Sequence, residues 1–227
     1  MYIAVRDREG RLYSDEQLKR LPVTEPAHIH FKEWQIRKKS ATRLFNYLQN
    51  KNKPLSILEV GCGNGWLAAM LAAIPDSAVT GCDINKTELC QARRVFNDRN
   101  NIIFVEEDIQ GNYFQQAKFD IIVFAASIYY FPSFEAIIRK AISLLKPIGE
   151  IHIIDSFFYN GSEKEAAKKR SLLYYQSIGF TDMSDFYFHH DFNALNKFKY
   201  RVLFNPESFA NKLFSRKAIF PWICIKK

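Results

Sequence analysis

The sequence predicts an α/β protein built on a doubly wound, mostly parallel seven-stranded sheet, with helices on both faces and an antiparallel last strand. Five short apolar runs rich in Ile and Val carry this prediction. They are Ile57 to Val60, Ala78 to Cys82, Ile102 to Val105, Asp120 to Phe124 and Glu150 to Ile154, and they read as buried strands. Helix-periodic segments fill most of the gaps between them. Alternation of this kind gives a parallel sheet covered on both sides.

Each element has its own local reason. The segment Arg6-Asp-Arg-Glu-Gly-Arg-Leu-Tyr-Ser-Asp-Glu-Gln17, with a Glu-Gly turn, reads as a short hairpin. Trp34, Ala41, Leu44, Phe45 and Leu48 share one helical face, which predicts a helix over about 31 to 49. The first strand runs into Gly61-Cys-Gly-Asn-Gly65, and Leu67 to Ala73 continues from it as a helix. Leu89, Ala92 and Phe96 give a shorter amphipathic helix. Phe134, Ile137, Ile138, Ala141, Leu144 and Leu145 recur at three-and-four spacing, and Pro147 with Gly149 ends that pattern. Ser162-Glu-Lys-Glu165 has capping-box spacing for a helix that Gly179 closes. It leads into Phe186-Tyr-Phe-His-His190, read as a sixth strand that pairs with a last strand, Phe220 to Lys226. The long stretch between those two reads as a small helical insertion. Residues 1–227 are expected to form one domain: a hairpin and helix cap (1–53), a ligand-binding core (54–156) and a C-terminal part carrying the insertion on the substrate side (157–227).

Composition narrows the classes of function. A chain of 227 residues with 48% hydrophobic content can bury a substantial core. The N-terminus becomes charged too early for a secretory signal, and the longest apolar run, Phe119 to Phe131, is interrupted by Asp120 and too short to span a bilayer. Four cysteines, Cys62, Cys82, Cys90 and Cys224, show no paired spacing. A cytoplasmic location is therefore expected, with neither a disulfide framework nor a metal site. The net charge of +8 is uneven: 12 Lys/Arg against 6 Asp/Glu in 1–53, 8 against 12 in 54–156, and 12 against 6 in 157–227. The basic ends are either solvated faces or surfaces that meet an anionic partner.

The glycine run is the sharpest motif. Glycines at 61, 63 and 65 between a strand and a helix let the backbone turn sharply and leave a ligand room to approach. Asp83 ends the next strand, where a carboxylate accepts hydrogen bonds from ribose hydroxyls. A dinucleotide oxidoreductase would share that acid. Glu59, however, places negative charge where a pyrophosphate should lie, and position 66 is Trp where GxGxxG needs glycine. A zwitterionic or cationic ligand tolerates Glu59 better.

With those residues in view, Glu59-x-Gly61-x-Gly63-x-Gly65 closely resembles the first motif of class I methyltransferases that use S-adenosylmethionine, and Asp83 resembles their ribose-binding acid. Val105-Glu-Glu-Asp-Ile109 is similar to their third-strand motif, which puts Asp108 and Ile109 at the adenine. Phe119 to Pro132 is similar to the fourth-strand motif, and Leu144-Leu-Lys-Pro-x-Gly149 to the turn before the fifth strand. The resemblance covers roughly 54 to 156. It implies a Rossmann-like fold, S-adenosylmethionine as cofactor with S-adenosylhomocysteine as product, no metal, and a cofactor site made of Glu59, Gly61, Cys62, Gly63, Gly65, Asp83, Ile84, Asp108, Ile109, Ala125 and Ala126. Ala125-Ala-Ser-Ile-Tyr129 stands where methyltransferases of planar amino groups carry Asn/Asp-Pro-Pro-aromatic, which counts against base methylation.

The implied reaction is in-line displacement at the sulfonium methyl, driven mainly by proximity and alignment. A general base is needed only for a weakly acidic nucleophile. Its candidates beyond the strand ends are Asp155, His189 and His190; Tyr129, Tyr130, Arg37 and Trp34 are candidates for the acceptor, with Arg37 suited to a carboxylate. His28 and His30 are possible parts of a lid. His152, alternating with apolar residues, reads as structural. The expected acceptor is a small molecule, anionic or sugar-bearing, methylated on oxygen or nitrogen. RNA gripped by the basic flanks is the alternative, since Phe and Tyr interleaved with Lys and Arg also suit bases.

Overall fold

The computed structural model describes residues 1–208 and 219–227. Its seven-stranded sheet has the order β3-β2-β1-β4-β5-β7-β6. The parallel part comprises β1 (Leu55–Val60), β2 (Ser77–Asp83), β3 (Ile102–Glu106), β4 (Phe119–Ala125) and β5 (Leu145–Ile154). The two remaining strands, β6 (Tyr200–Phe204) and β7 (Trp222–Lys226), are antiparallel to each other, and β7 is antiparallel to β5.

Side chains of the central strands alternate between the two faces. Ile57, Ile121 and Val123 join a cluster with α2 (Asp15–Arg20), α3 (Phe31–Gln49) and α4 (Trp66–Leu71). Leu58, Ile122 and Phe124 join another with α6 (Phe134–Leu144), whose first turn is capped by Ser133 Oγ accepting from Ala136 N at 3.2 Å. Helix α5 (Lys86–Val95) starts at Asn85, whose side chain accepts from Glu88 N. The strand order reverses between β2-β1 and β1-β4, and open sheets of this kind bind ligands at the carboxyl ends of the strands at that point.

The structure corrects three sequence expectations. Residues 6–17 are not a hairpin. Helix α1 (Tyr2–Arg8) ends at Gly10 (φ +67°), and α2 starts at a capping box in which Ser14 Oγ accepts from Gln17 N (3.2 Å) and Gln17 Oε1 accepts from Ser14 N (2.9 Å). The cap of α7 (Gly161–Ser177) lies two residues earlier than expected, with Glu163 accepting from Asn160 N.

Phe186 to His190 is not a ladder strand either. A 3₁₀ turn occupies Thr181–Phe186, and the chain beyond it is held to the front of the sheet by Phe188 N donating to Tyr129 O at 2.7 Å. The partner of β7 is instead Tyr200–Phe204, inside the expected helical insertion, where a 3₁₀ turn at Phe192–Lys197 precedes the strand. The remainder of that insertion, 209–218, lies outside the described residues.

Candidate active site

The glycine loop leaves β1 with all three glycines in the left-handed region: φ is +69° at Gly61, +52° at Gly63 and +77° at Gly65. Each missing side chain also makes room for the protein itself. A Cβ on Gly61 would lie 2.6 Å from Ser127 Cβ, and one on Gly65 would lie 2.5 Å from the Phe104 ring. Ser127 Oγ in turn donates to Val60 O at 2.6 Å, so the exits of β4 and β1 are tied together. Asp83, at the end of β2, accepts from Gly63 N and Asn85 N, both at 2.8 Å. One carboxylate therefore fixes the loop and the start of the next helix. Burial pushes its carboxyl up despite these bonds.

A cavity of about 490 Å³ opens above this loop. That size is ordinary for a small-molecule site. Glu59, Gly61, Cys62, Gly63, Ala125 and Ala126 form its floor, Trp34 and Arg37 of α3 one wall, and α1 its cover through Tyr2, Val5, Arg6 and Glu9. The far wall is aromatic. Tyr129 and Tyr187 stack at 4.7 Å, Tyr130 meets Tyr129 edge-on at 5.8 Å, and Tyr175 stands 6.1 Å from Tyr187. Helix α1 is pinned to α7 and the turn after it: Val5 packs with Tyr175 and Met183, and Tyr174 donates to Glu9 at 2.6 Å. Two non-glycine residues with positive φ stand at the exits of adjacent strands, Ala126 (φ +53°) after β4 and Asp155 (φ +53°) after β5. Backbone of this kind clusters at functional sites.

The charges divide the cavity. Glu59 and Glu88 are 3% and 4% exposed, and Oε2 of each has no hydrogen-bond partner among the described residues. Burial pushes both carboxyls up, Glu59 strongly, while Arg6 works against the rise at Glu88. At the other end Arg37 donates through Nε to Glu33 at 2.9 Å, and Arg11 makes two bonds to the same carboxylate at 2.9 and 2.6 Å. Burial opposes ionisation of Glu33, but these two guanidinium groups outweigh it and hold the carboxyl at about 2. Arg37 stays charged: burial works against it, and the carboxylates of Glu33 and Asp155 prevail.

The residues expected in the site separate into two groups. Glu59, Gly61, Cys62, Gly63, Ala125, Ala126, Tyr129, Tyr130, Trp34 and Arg37 line the cavity. Trp34 does so while buried, donating to Tyr13 Oη at 2.9 Å. Gly65 faces Phe104 and serves packing. Asp83, Ile84, Asp108 and Ile109 lie at the adjoining strand ends, with Ile84 exposed, Ile109 buried and Asp108 capping its own turn by accepting from Gln110 N.

The proposed bases stand off the cavity. His190 is buried, with Nε2 bonded to Ile128 O at 3.0 Å, and a proton on that nitrogen donates to the carbonyl. His189 Nε2 meets Ser171 Oγ at 3.0 Å. Asp155 lies behind the wall, bonded by Ser40 Oγ, while its own carbonyl accepts from Tyr129 Oη at 2.7 Å. His28 stacks on Tyr13 and His30 bonds Glu9 O of the α1 cover at 2.7 Å, and neither ring lines the cavity. Among the cavity residues that sequence reasoning missed are Tyr2, Arg6, Glu88, Tyr175 and Tyr187. Only Glu88, five residues after Asp83 on the next helix, carried a positional signal.

A second group, Glu150, His152 and Cys224, brings three metal-type ligand atoms within 4.8 Å of one another. Its hydrogen bonds argue against coordination. Trp222 Nε1 donates to His152 Nδ1 at 3.1 Å, so the imidazole proton sits on Nε2, 3.3 Å from Glu150. Lys51 and Lys226 also face that carboxylate, at 2.8 and 3.5 Å. Glu150 is thus paired with two lysines beside a fully buried His152.

Known proteins match this architecture. Residues 57–149 fit the family model described as "Methyltransferase domain". The malonyl-[acyl-carrier protein] O-methyltransferase of Priestia megaterium is 31% identical over 134 residues, 57% of this chain and 47% of that protein. The demethylmenaquinone methyltransferase of Chlorobaculum tepidum is 27% identical over 139 residues, 61% of this chain and 54% of that one. The chain thus spans about half the length of the curated relatives it matches. Among solved structures, magnesium protoporphyrin IX methyltransferase from Synechocystis, with bound S-adenosylhomocysteine, superposes with a TM-score of 0.64 at 16% identity, covering 99% of this chain and 94% of that one. The plantazolicin methyltransferase BpumL, also with S-adenosylhomocysteine, gives 0.59 at 17% identity and 99% coverage of both. These two show a shared fold. Residues 57–149 belong to the class I S-adenosylmethionine-dependent methyltransferase family.

Proposed function

We propose that this chain transfers the methyl group of S-adenosylmethionine to an oxygen of a small acceptor that bears a carboxylate. One observation carries the reading: a single cavity runs from the glycine loop to Arg37. The cofactor end fits a cationic ligand, because the buried carboxyl of Glu59 keeps an Oε2 with no hydrogen-bond partner among the described residues and a positive charge beside it would favour its ionised form. Asp83 would hold the ribose, and the exposed apolar side chain of Ile84, with Asp108 and Ile109 on the neighbouring strand end, would border the adenine. The ligands of the two solved neighbours support the same assignment.

Bound there, the cofactor supplies a methyl group already activated by sulfonium charge. What remains for the protein is alignment of the acceptor in a dry pocket. The aromatic wall excludes water, and Arg37 orients the acid. Nε of Arg37 is taken by Glu33, while no side chain or carbonyl among the described residues accepts from its Nη1 and Nη2. A guanidinium with a free fork suits a carboxylate. An acid is ionised at neutral pH, so no side chain has to remove a proton before an oxygen attacks. This agrees with a cavity from which His189, His190 and Asp155 all stand apart. The relative named as an O-methyltransferase of malonyl-[acyl-carrier protein] is in line with oxygen as the acceptor atom. That residues 1–227 act as one domain is part of the reading, supported by cavity walls drawn from all three parts of the chain. A cytoplasmic setting also belongs to it, supported by four unpaired cysteines. No helix among the described residues is long and apolar enough to cross a membrane.

The test is incubation with S-adenosylmethionine and a panel of carboxylic acids, each beside its amide. Mass spectrometry should show methyl esters of acids and no product from the amides. In Arg37→Met, kcat/KM for the best acid should fall by roughly tenfold to a hundredfold, the range of a lost charge-assisted hydrogen bond, with cofactor affinity retained. Equal turnover of acid and amide would overturn the acceptor assignment.

A further inference from the structure

We propose that Glu88 is a further cofactor-binding residue whose Oε2 accepts a hydrogen bond from a ribose hydroxyl, so that Glu88 and Asp83 form a pair of carboxylates around Gly63. The inference rests on the reading that the cavity holds S-adenosylmethionine, and it adds a contact that the motif resemblance does not supply.

Three observations converge. Both carboxylates meet Gly63: Asp83 Oδ2 accepts its N–H at 2.8 Å, and Glu88 Oε2 lies 3.2 Å from where a Cβ on Gly63 would sit. Glu88 lines the cavity while only 4% exposed; the Tyr2 hydroxyl of α1 stands near its carboxylate, yet Oε2 makes no hydrogen bond of normal geometry among the described residues. An acceptor buried in this way is costly until a donor arrives. The other oxygen, Oε1, faces Arg6 Nη2 of the α1 cover at 3.7 Å.

Arg6 also decides which donor fits. Its guanidinium already supplies the positive charge beside Glu88, so a second cation there would be repelled, whereas a neutral hydroxyl adds a donor without adding charge. Asp83 spends one bond of each oxygen on backbone N–H groups, at Gly63 and Asn85. A vicinal diol next to Gly63 is therefore better satisfied by two carboxylates than by one. Because Arg6 belongs to α1 and Tyr2 of the same helix stands edge-on to Tyr130 at 5.9 Å, the residue that touches the ribose would also help seat the cover of the acceptor cavity.

The test is calorimetric titration of the whole chain with S-adenosylhomocysteine and with its 2′-deoxy and 3′-deoxy analogues, in the natural protein, Glu88→Met and Glu88→Gln. In the natural protein, deletion of one of the two hydroxyls should weaken binding by about tenfold or more, the effect of losing a hydrogen bond to a charged acceptor. In Glu88→Met that same deletion should cost less than about twofold, because the partner is already gone. Glu88→Gln, which keeps a neutral acceptor, should fall between them, and it carries the test if the Met variant does not fold. If both deletions cost the same in all three proteins while S-adenosylhomocysteine still binds, Glu88 does not touch the ribose and the inference is wrong. If the natural protein does not bind S-adenosylhomocysteine at all, the methyltransferase reading falls, and this inference with it.

Discussion

The two ends of the cavity are made of different materials. At the cofactor end the wall is largely backbone: Gly61 and Gly63 with positive φ, the fourth-strand exit at Ala125 and Ala126, and the carboxylate of Glu88, with that of Asp83 beside it at Gly63. At the acceptor end the wall is side chains, chiefly tyrosines and arginines from α1, α3, the turn after β4, α7 and the turn after α7. A backbone-built site depends on which residues are small and where the acids fall in two short segments, 59–88 and 125–126. A side-chain-built site depends on how distant segments pack, and it can be rebuilt for another acceptor without disturbing the first. The difference teaches that cofactor and acceptor recognition are separable here, which makes the contrast open to attack from either end.

The largest expected effect is at the cofactor end. Gly65→Ala would combine a φ of +77° with a Cβ 2.5 Å from Phe104, so urea titration should show a loss of about 2–5 kcal/mol, from backbone strain and overpacking together. A loss below 1 kcal/mol would show that the loop is not held by its packing, and the contrast would weaken.

An intermediate effect is expected at the acceptor wall. The carboxyl of Glu33 is held at about 2, below its value in the unfolded chain, so the stability it contributes is fully present above pH 4.5 or so and is lost as pH falls toward 2. Glu33→Gln should therefore destabilise the protein at pH 7 by about 1–2 kcal/mol, after allowance for solvent screening of its partly exposed carboxylate, and the difference should shrink steadily in acid. A difference that is independent of pH between 2 and 7 would remove the ion pairs with Arg11 and Arg37 from the account.

The smallest effect sharpens the comparison. Gly179 also has positive φ (+83°), at the end of α7, but a Cβ there would meet nothing within 4 Å. Gly179→Ala should cost only the left-handed conformation, about 1 kcal/mol, with cofactor affinity unchanged. Equal costs at positions 65 and 179 would mean that the packing around the loop contributes nothing.

The same division explains what could be read from the sequence. The five central strands and the helices between them were legible because burial on both faces leaves Ile- and Val-rich runs, and because the glycines and Asp83 are fixed by local geometry. The sheet edge was not. Phe186 to His190 looks like a strand, but Tyr129 O captures Phe188 N in front of the sheet, and Tyr200–Phe204 takes the edge beside β7. The cover was misread for a different reason. The Glu-Gly turn points to a hairpin, whereas the Ser14 to Gln17 capping box in the same stretch starts a helix, and a hairpin reading leaves Tyr2 and Arg6 out of the site. His189 and His190 could not be judged from sequence at all, since only the packed structure shows His190 bonded to Ile128 O and His189 to Ser171. The positive φ of Ala126 and Asp155 left no trace in residue type.

The central claim is that the glycine loop and Asp83 hold S-adenosylmethionine. Its most direct test is calorimetric titration of the purified chain and of Asp83→Ala with S-adenosylhomocysteine, with NADH as control. S-adenosylhomocysteine should bind with a Kd on the order of micromolar, NADH should give no heat, and Asp83→Ala should lose at least about tenfold in affinity, equivalent to roughly 1.4 kcal/mol. Binding of NADH in its place, binding of neither, or an unchanged affinity in Asp83→Ala would contradict that claim.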